Sequence, residues 1–208
     1  KVVMPSNPYQ AKGLLNAAIF DNNPVIFLEH RWLHNQQGEV PEGDYRIPLG
    51  KANIIHKGSH ITIISMSYMT IEALHAIEAL KKEKISCDLI DLRTVKPYDY
   101  DLIYSSIKKT GRMLVLDTGV ETCSIATEIV AKVSKDCFDN LKQAPQILGF
   151  PDFPTPTSQA LTKGIYKRAE DIIDIVSDML GKHLVGNELI NRGETPYDVP
   201  GDWFKGPF

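Results

Sequence analysis

Between Ile61 and Phe138 the sequence alternates between short β-rich runs and amphipathic helical stretches, and no other feature narrows the fold as much. Ile61 to Ser65, Ile85 to Leu92 and Arg112 to Asp117 are aliphatic, β-branched runs bounded by turn residues. Met69 to Glu83, Tyr100 to Thr110 and Cys123 to Phe138 read as helices. In the first of these, Ile71, Leu74, Ile77 and Leu80 follow i, i+3 spacing and make one apolar ridge, which Lys81, Lys82 and Glu83 bring to an end. Alternation of this kind predicts α/β architecture: a mostly parallel, doubly wound sheet with helices on both faces. Pro145 to Phe153 adds a late strand and loop, and Ala169 to His183 a closing helix.

Upstream, Lys51 to His56 is also β-rich, and Lys57-Gly58-Ser59-His60 separates it from Ile61 to Ser65 as a hairpin turn would. Residues Asn35 to Leu49 lose all periodicity and collect Gly38, Pro41, Gly43 and Pro48, the composition of a connector. A first unit precedes it: strand Val2 to Met4, helix Pro8 to Phe20 capped by Ser6 or Asn7, and strand Val25 to Leu28. Two short apolar strands joined by a helix pair in parallel but cannot make a stable sheet, so the remainder is expected from residues outside this chain or from a partner. The expected organisation is a first unit at 1–34, a linker at 35–50, the main domain at 51–183 and a tail at 184–208. Gly and Pro recur in that tail without a period, and it is expected to be mobile rather than docked through Tyr197, Trp203, Phe204 or Phe208.

Composition excludes several partners. With a net charge of −3 and no basic run longer than two residues, neither nucleic acid nor an anionic membrane surface is expected. No apolar stretch approaches the roughly 18 residues needed to span a bilayer, and the opening KVVMPSNP lacks the apolar core of a signal peptide. A chain opening on Lys1 and a strand-like run is expected to lie inside a longer protein. Cys87, Cys123 and Cys137 are odd in number and not spaced as metal ligands, which suits a reducing compartment.

Asn16 to His30 packs a helix end, the turn Asp21-Asn22-Asn23-Pro24 and a buried strand into one short segment. Such a turn directs carbonyl and carboxylate oxygens outward, where they either meet water or hold a hard cation. Ligands of open α/β sheets sit at the carboxyl ends of strands, which directs attention to the loops after Asp91 and Asp117. Asp117-Thr118-Gly119-Val120-Glu121 contains one glycine, so it is not a dinucleotide fingerprint. Arg93 reads as fixing its own strand-to-helix loop, with an anion or interface contact as the alternative. His30 and His34 follow a strand, where four-residue spacing loses its zinc-binding meaning; they read as surface loop or as a contact to a partner or upstream domain. Cys123 near a helix start reads as a small buried residue rather than a nucleophile, and no nucleophile elbow occurs.

MPSNPYQAKGLLNAAIFDNNPVIFLEH, GEVPEGDYRIPLGKA and IDLRTVKPYD, in that order, resemble the beta subunit of the thiamine-diphosphate-dependent 2-oxo acid dehydrogenases, such as pyruvate dehydrogenase. The resemblance runs from about Val2 to about Ser177. It implies the end of a pyrimidine-side domain followed by a transketolase-like C-terminal domain, with the cofactor-activating residues upstream, so that no catalytic or cofactor-binding residue falls in this chain. It also implies a potassium site on Ala18, Ile19, Asp21 and Asn23, through main-chain oxygens except for the Asp21 carboxylate. The assembled enzyme would use thiamine diphosphate and magnesium to decarboxylate a 2-oxo acid and pass the acyl fragment to a lipoyl group. Its partners would be an alpha subunit and a second beta subunit in a heterotetramer, together with the dihydrolipoyl acyltransferase core, in a bacterial cytoplasm or a mitochondrial matrix. Pyruvate, branched-chain oxo acids and acetoin all remain open as substrates. The chain departs from the resemblance after Asp117, where Thr122, Cys123, Ser124 and Thr127 replace smaller residues ahead of Glu128. Two rival readings are a non-catalytic docking module and a transketolase or deoxyxylulose phosphate synthase relative; NPYQAKGLLNAAIFDNNP and EVPEGDY favour the beta subunit over the latter.

Overall fold

The computed structural model describes residues 1–193, 195–201, 204 and 206. Strands β1 (Val2–Val3), β2 (Ile26–Phe27), β3 (Asn53–His56), β4 (Ile61–Ser65), β5 (Cys87–Asp91), β6 (Thr94–Lys96), β7 (Met113–Val120) and β8 (Gln146–Phe150) form two sheets. Helices α1 (Pro8–Ile19), α2 (Tyr68–Lys82), α3 (Tyr100–Thr110), α4 (Ile125–Asp136), α5 (Ala169–Met179) and α6 (Gly186–Leu189) complete the chain.

The larger sheet runs β3-β5-β4-β7-β8, parallel except for the antiparallel edge strand β3. The expected α/β architecture is the one observed. All five residues of β4 are buried, and the strand's period of two sends Ile61 and Ile63 to one face and Ile64 to the other. On the first face they meet α2 and α5 through Ala73, Ile77, Leu80, Ile172, Ile173 and Val176. On the second, Ile64, Ile90 and Val115 meet Ile103 and Ile107 of α3 and Ile129 and Val133 of α4. Burying both faces explains why these strands read as continuous apolar runs.

The expected hairpin between β3 and β4 does not form. Residue β3 Ile54 pairs with Ile90 of β5, while β4 is flanked by β5 and β7. A strand as buried as β4 needs ladder partners on both edges, and residues 57–60 instead carry the chain across the end of β5. Gly58 permits the crossing: its N–H donates to Asp88 Oδ1 at 2.7 Å, and a Cβ there would lie 2.3 Å from the Cys87 nitrogen.

In the smaller sheet, β1 pairs in parallel with β2, Val2 opposite Ile26 and Val3 opposite Phe27. Asn7, rather than Ser6, caps α1, its side chain accepting the Gln10 N–H at 2.9 Å. Where the rest of this sheet was expected from outside the chain, β6 supplies a third strand from within it, antiparallel to β1, while β2 remains at the edge. Arg93 makes the transfer possible. At φ 55 it turns the backbone between β5 and β6, and its carbonyl accepts the Met4 N–H at 2.8 Å. Residues 35–49 contain no helix or strand. Their second half lies along α1, with Tyr45 stacked on Tyr9 at 4.9 Å and the Ile47 N–H donating to the Gly13 carbonyl at 3.0 Å.

The tail, expected to be mobile, is docked over its described residues. Leu184, Leu189 and Ile190 pack on the α2–α5 core, and Gly186 sits so close to α5 that a Cβ would lie 2.2 Å from the Glu170 carbonyl oxygen. Phe204 is buried, whereas Trp203 and Phe208 lie outside the described residues. Its polar anchors, described next, carry no periodic signature, which is why composition alone read as loose chain.

Candidate cation turn and carboxyl-end cleft

Helix α1 ends at Ile19, so the carbonyls of Ala18 and Ile19 are among the last four of the helix, which lack in-helix partners and carry its negative dipole end. Asp21 follows, its N–H donating to the Ala18 carbonyl at 3.3 Å. The carboxylate folds back on the turn: Oδ1 accepts the Asn23 backbone N–H at 2.9 Å and its side-chain amide at 3.0 Å, and Oδ2 receives the Lys1 ammonium. The Lys1 and Asn23 hydrogen bonds hold the Asp21 carboxyl down at about 2. The turn thus ties Asp21 to Ala18 on one side and to Asn23 on the other, with Ile19 the last residue of α1. Carbonyl and carboxylate oxygens suit hard cations, and in this turn the Asp21 carboxylate is paired with the Lys1 ammonium.

At the carboxyl ends of β1 and β2 lies an open cleft of about 220 Å³, bordered by Asn7, Glu29, His30, Leu33, His34 and Gln36 among others. His34 pairs with Glu29 at 3.2 Å on its rim. His30 turns inward instead: its ring stacks on Tyr68 at 5.2 Å and its Nδ1 accepts the Trp32 N–H at 3.3 Å. Burial, reinforced by the charge of Arg168, lowers the His30 pKa to about 4. The two histidines therefore separate, and the contact made by His30 is within this chain.

Behind His30 is a charged cluster. Arg168, with no exposed surface, lies over the Trp32 ring at 4.5 Å and bonds the Tyr68 hydroxyl and Glu72, the latter at 3.3 Å. Glu72 also accepts the Ala169 N–H at 2.8 Å and Arg192 at 3.1 Å; Arg192 reaches Glu170 at 2.7 Å. The second terminal nitrogen of Arg168 donates to the carbonyls of Tyr197 and, at 3.1 Å, Val199. Burial and the neighbouring Glu72 carboxylate push the Tyr68 hydroxyl pKa far up, so it stays protonated and donates to Glu72. Glu72, Arg168 and Arg192 were not singled out in the sequence. A Tyr-x-x-x-Glu pair inside an apolar helix was the available signal, since a charge on a buried face needs a partner.

The loops flagged by strand position prove structural. Asp91 is wholly buried and accepts the Ser6 hydroxyl, the Gln10 amide at 2.7 Å and the Arg93 N–H at 3.2 Å, so it ties α1 to β5. Asp117 accepts the Gly119 N–H at 2.9 Å and, from α4, the Ala126 N–H at 3.4 Å. Ser124 caps α4, and Cys123, expected to be buried, is exposed at φ 56 in the turn before it. Among the described residues no three His, Cys, Asp or Glu side chains group as metal ligands, and no helix is long and apolar enough to cross a membrane.

Residues 50–172 match the family described as transketolase, C-terminal domain. The chain is 45% identical over 161 residues to the acetoin:2,6-dichlorophenolindophenol oxidoreductase subunit beta of Cupriavidus necator, covering 77% of this chain and 48% of that protein. It is 44% identical over 161 residues to the pyruvate dehydrogenase E1 component subunit beta of Bacillus subtilis, covering 77% of this chain and 50% of the relative. Among solved structures it superposes on a split gene transketolase, an inactive beta4 tetramer, with a TM-score of 0.71 at 23% identity over 86% of this chain and 57% of that one. That likeness concerns the fold. The chain spans about half the length of the curated relatives it matches.

Proposed function

The chain belongs to the transketolase C-terminal domain family, and from that membership we propose that it forms the rear half of the beta subunit of a thiamine-diphosphate-dependent 2-oxo acid dehydrogenase. The observation that carries this reading is the 44–45% identity over 161 residues to two beta subunits, one of a pyruvate dehydrogenase and one of an acetoin oxidoreductase. In it residues 1–34 close a pyrimidine-side domain, 35–50 link, 51–183 form the C-terminal domain and 184–208 a tail.

The surface supports assembly as this portion's role. Leu15 and Ile19 on α1, Phe20 just after it, Ile26 of β2 and Leu28 just beyond it are exposed, and β2 is an edge strand of its sheet. Parallel sheets are covered on both faces, so these residues fit contacts to an upstream domain, an alpha subunit and a second beta subunit in a heterotetramer. The C-terminal domain would also meet the acyltransferase core.

Thiamine diphosphate, held with magnesium elsewhere in the assembly, would supply the electron sink for decarboxylation. This chain's residues position rather than react. Asp91 fixes α1 against the main domain, and Arg168 fixes the loop bordering the carboxyl-end cleft. Potassium would be held by the main-chain oxygens of Ala18, Ile19 and Asn23 and by the Asp21 carboxylate, with the Lys1 ammonium as its competitor. A bacterial cytoplasm or mitochondrial matrix suits these partners.

Full-length beta subunit, co-expressed with its alpha subunit and given thiamine diphosphate and magnesium, should reduce dichlorophenolindophenol with pyruvate, a branched-chain 2-oxo acid or acetoin. Absence of reduction with all three, from a purified heterotetramer, would reject the enzymatic reading.

A further inference from the structure

Arg168 is the meeting point of three segments distant in sequence. Its guanidinium face covers Trp32 in the loop after β2; one edge bonds Tyr68 and Glu72 on α2; the other holds the Tyr197 and Val199 carbonyls of the tail. A planar group engaged on its face and two edges has one orientation available. Losing the tail carbonyls frees a fork edge, and the plane is then no longer fixed against the indole. From Trp32 the contact continues: its ring meets Tyr68 edge-on at 4.9 Å, Tyr68 stacks on His30 at 5.2 Å, and His30 borders the 220 Å³ cleft. A second tail anchor, Arg192 between Glu72 and Glu170, bears on the same α2 carboxylate.

We propose that the tail acts as a strap which, seated on Arg168, sets the conformation of residues 29–36 and with it the shape of the cleft at the carboxyl ends of β1 and β2. Arg168 joins the strap to the loop, its guanidinium face on Trp32 and one edge on the Tyr197 and Val199 carbonyls. A partner that lifts residues 195–201 would thereby loosen the cleft wall, and a ligand that stiffens the cleft would tighten the strap, because coupling between two sites is reciprocal.

The test is amide hydrogen exchange on the full-length protein. A stop codon in place of Tyr197 should speed exchange of amides 29–36 by about tenfold while those of β4 stay protected. If β4 holds and 29–36 are unchanged, the strap does not act on the loop. Should that truncation fail to fold, Trp32→Leu decides, since reciprocity requires amides 195–201 to exchange about tenfold faster in it. Unchanged tail exchange in Trp32→Leu overturns the proposal.

Discussion

The side-chain amide of Gln10 donates to the buried carboxylate of Asp91 at 2.7 Å, joining the first βαβ unit to the strand that leads out of the main sheet. Burial raises the Asp91 pKa, and the Ser6 and Gln10 bonds act against that rise. The folded state therefore holds this proton more tightly than the unfolded chain: its contribution is complete below about 3.8 and is lost as pH rises through the elevated value. Gln10→Leu strips a donor from the ionised form and should cost about 1–3 kcal/mol at neutral pH, less near pH 4, in urea unfolding.

His30 has the opposite pH dependence. Its folded pKa of about 4 lies below the ordinary 6.5, so its contribution is present above 6.5 and is lost as pH falls through 4. Between those limits wild type should lose at most about 3 kcal/mol from this residue. His30→Phe should flatten the stability profile over that window, as read from unfolding at pH 7 and pH 4.5.

Glu72 receives two guanidiniums, Arg168 with no exposed surface and Arg192 at the edge of the cluster. Glu72→Leu leaves the buried Arg168 without a carboxylate, while Arg192 keeps Glu170, and should cost about 3–5 kcal/mol in thermal or denaturant unfolding. Adding Arg168→Met should restore part of the loss; a double variant additive with its singles would mean that the pair is not coupled.

Gly58→Ala forces a methyl into the backbone of Cys87, and rigid backbone cannot step aside. A loss of about 1–3 kcal/mol is expected. Gly38→Ala meets only Pro8 at 3.6 Å and should be near neutral, which makes it the control.

If the turn after α1 holds potassium, potassium chloride should raise the melting temperature of the full-length protein above that in choline chloride. Asp21→Ala should abolish the difference. Lys1→Ala should enlarge it and let the Asp21 carboxyl, now at about 2, rise toward 3.8 in NMR titration. Thallium-soaked crystals lacking anomalous density at Ala18, Ile19, Asp21 and Asn23 would remove the site.

What the sequence made legible follows from length of signal. Tyr100 to Thr110 and the Asn7-Pro8 helix start have periodicity and caps, and they appear where expected. Thr94–Lys96 is too short to show a period and lies against Pro97, so β6 went unseen. The β3–β4 hairpin was misread because Lys-Gly-Ser-His has turn composition whether the chain reverses or crosses over. Strand ends drew attention to Asp91 and Asp117, whose carboxylates turn out to be engaged in tying elements together, while the Arg168 cluster was hidden because its members lie on α2, before α5 and in the tail. The turn after α1 was legible from Asp21, Asn22, Asn23 and Pro24, whereas the assignment of main-chain oxygens of Ala18 and Ile19 as potassium ligands came from resemblance, because backbone oxygens leave no trace in residue identity.

Because β6, threaded out of one module, completes the sheet begun by the other, the linker is not what keeps them together. A protease that nicked residues 35–49 would yield two pieces that still co-purify, and grafting either module onto a foreign neighbour would leave an unfilled slot beside Val2 and Val3.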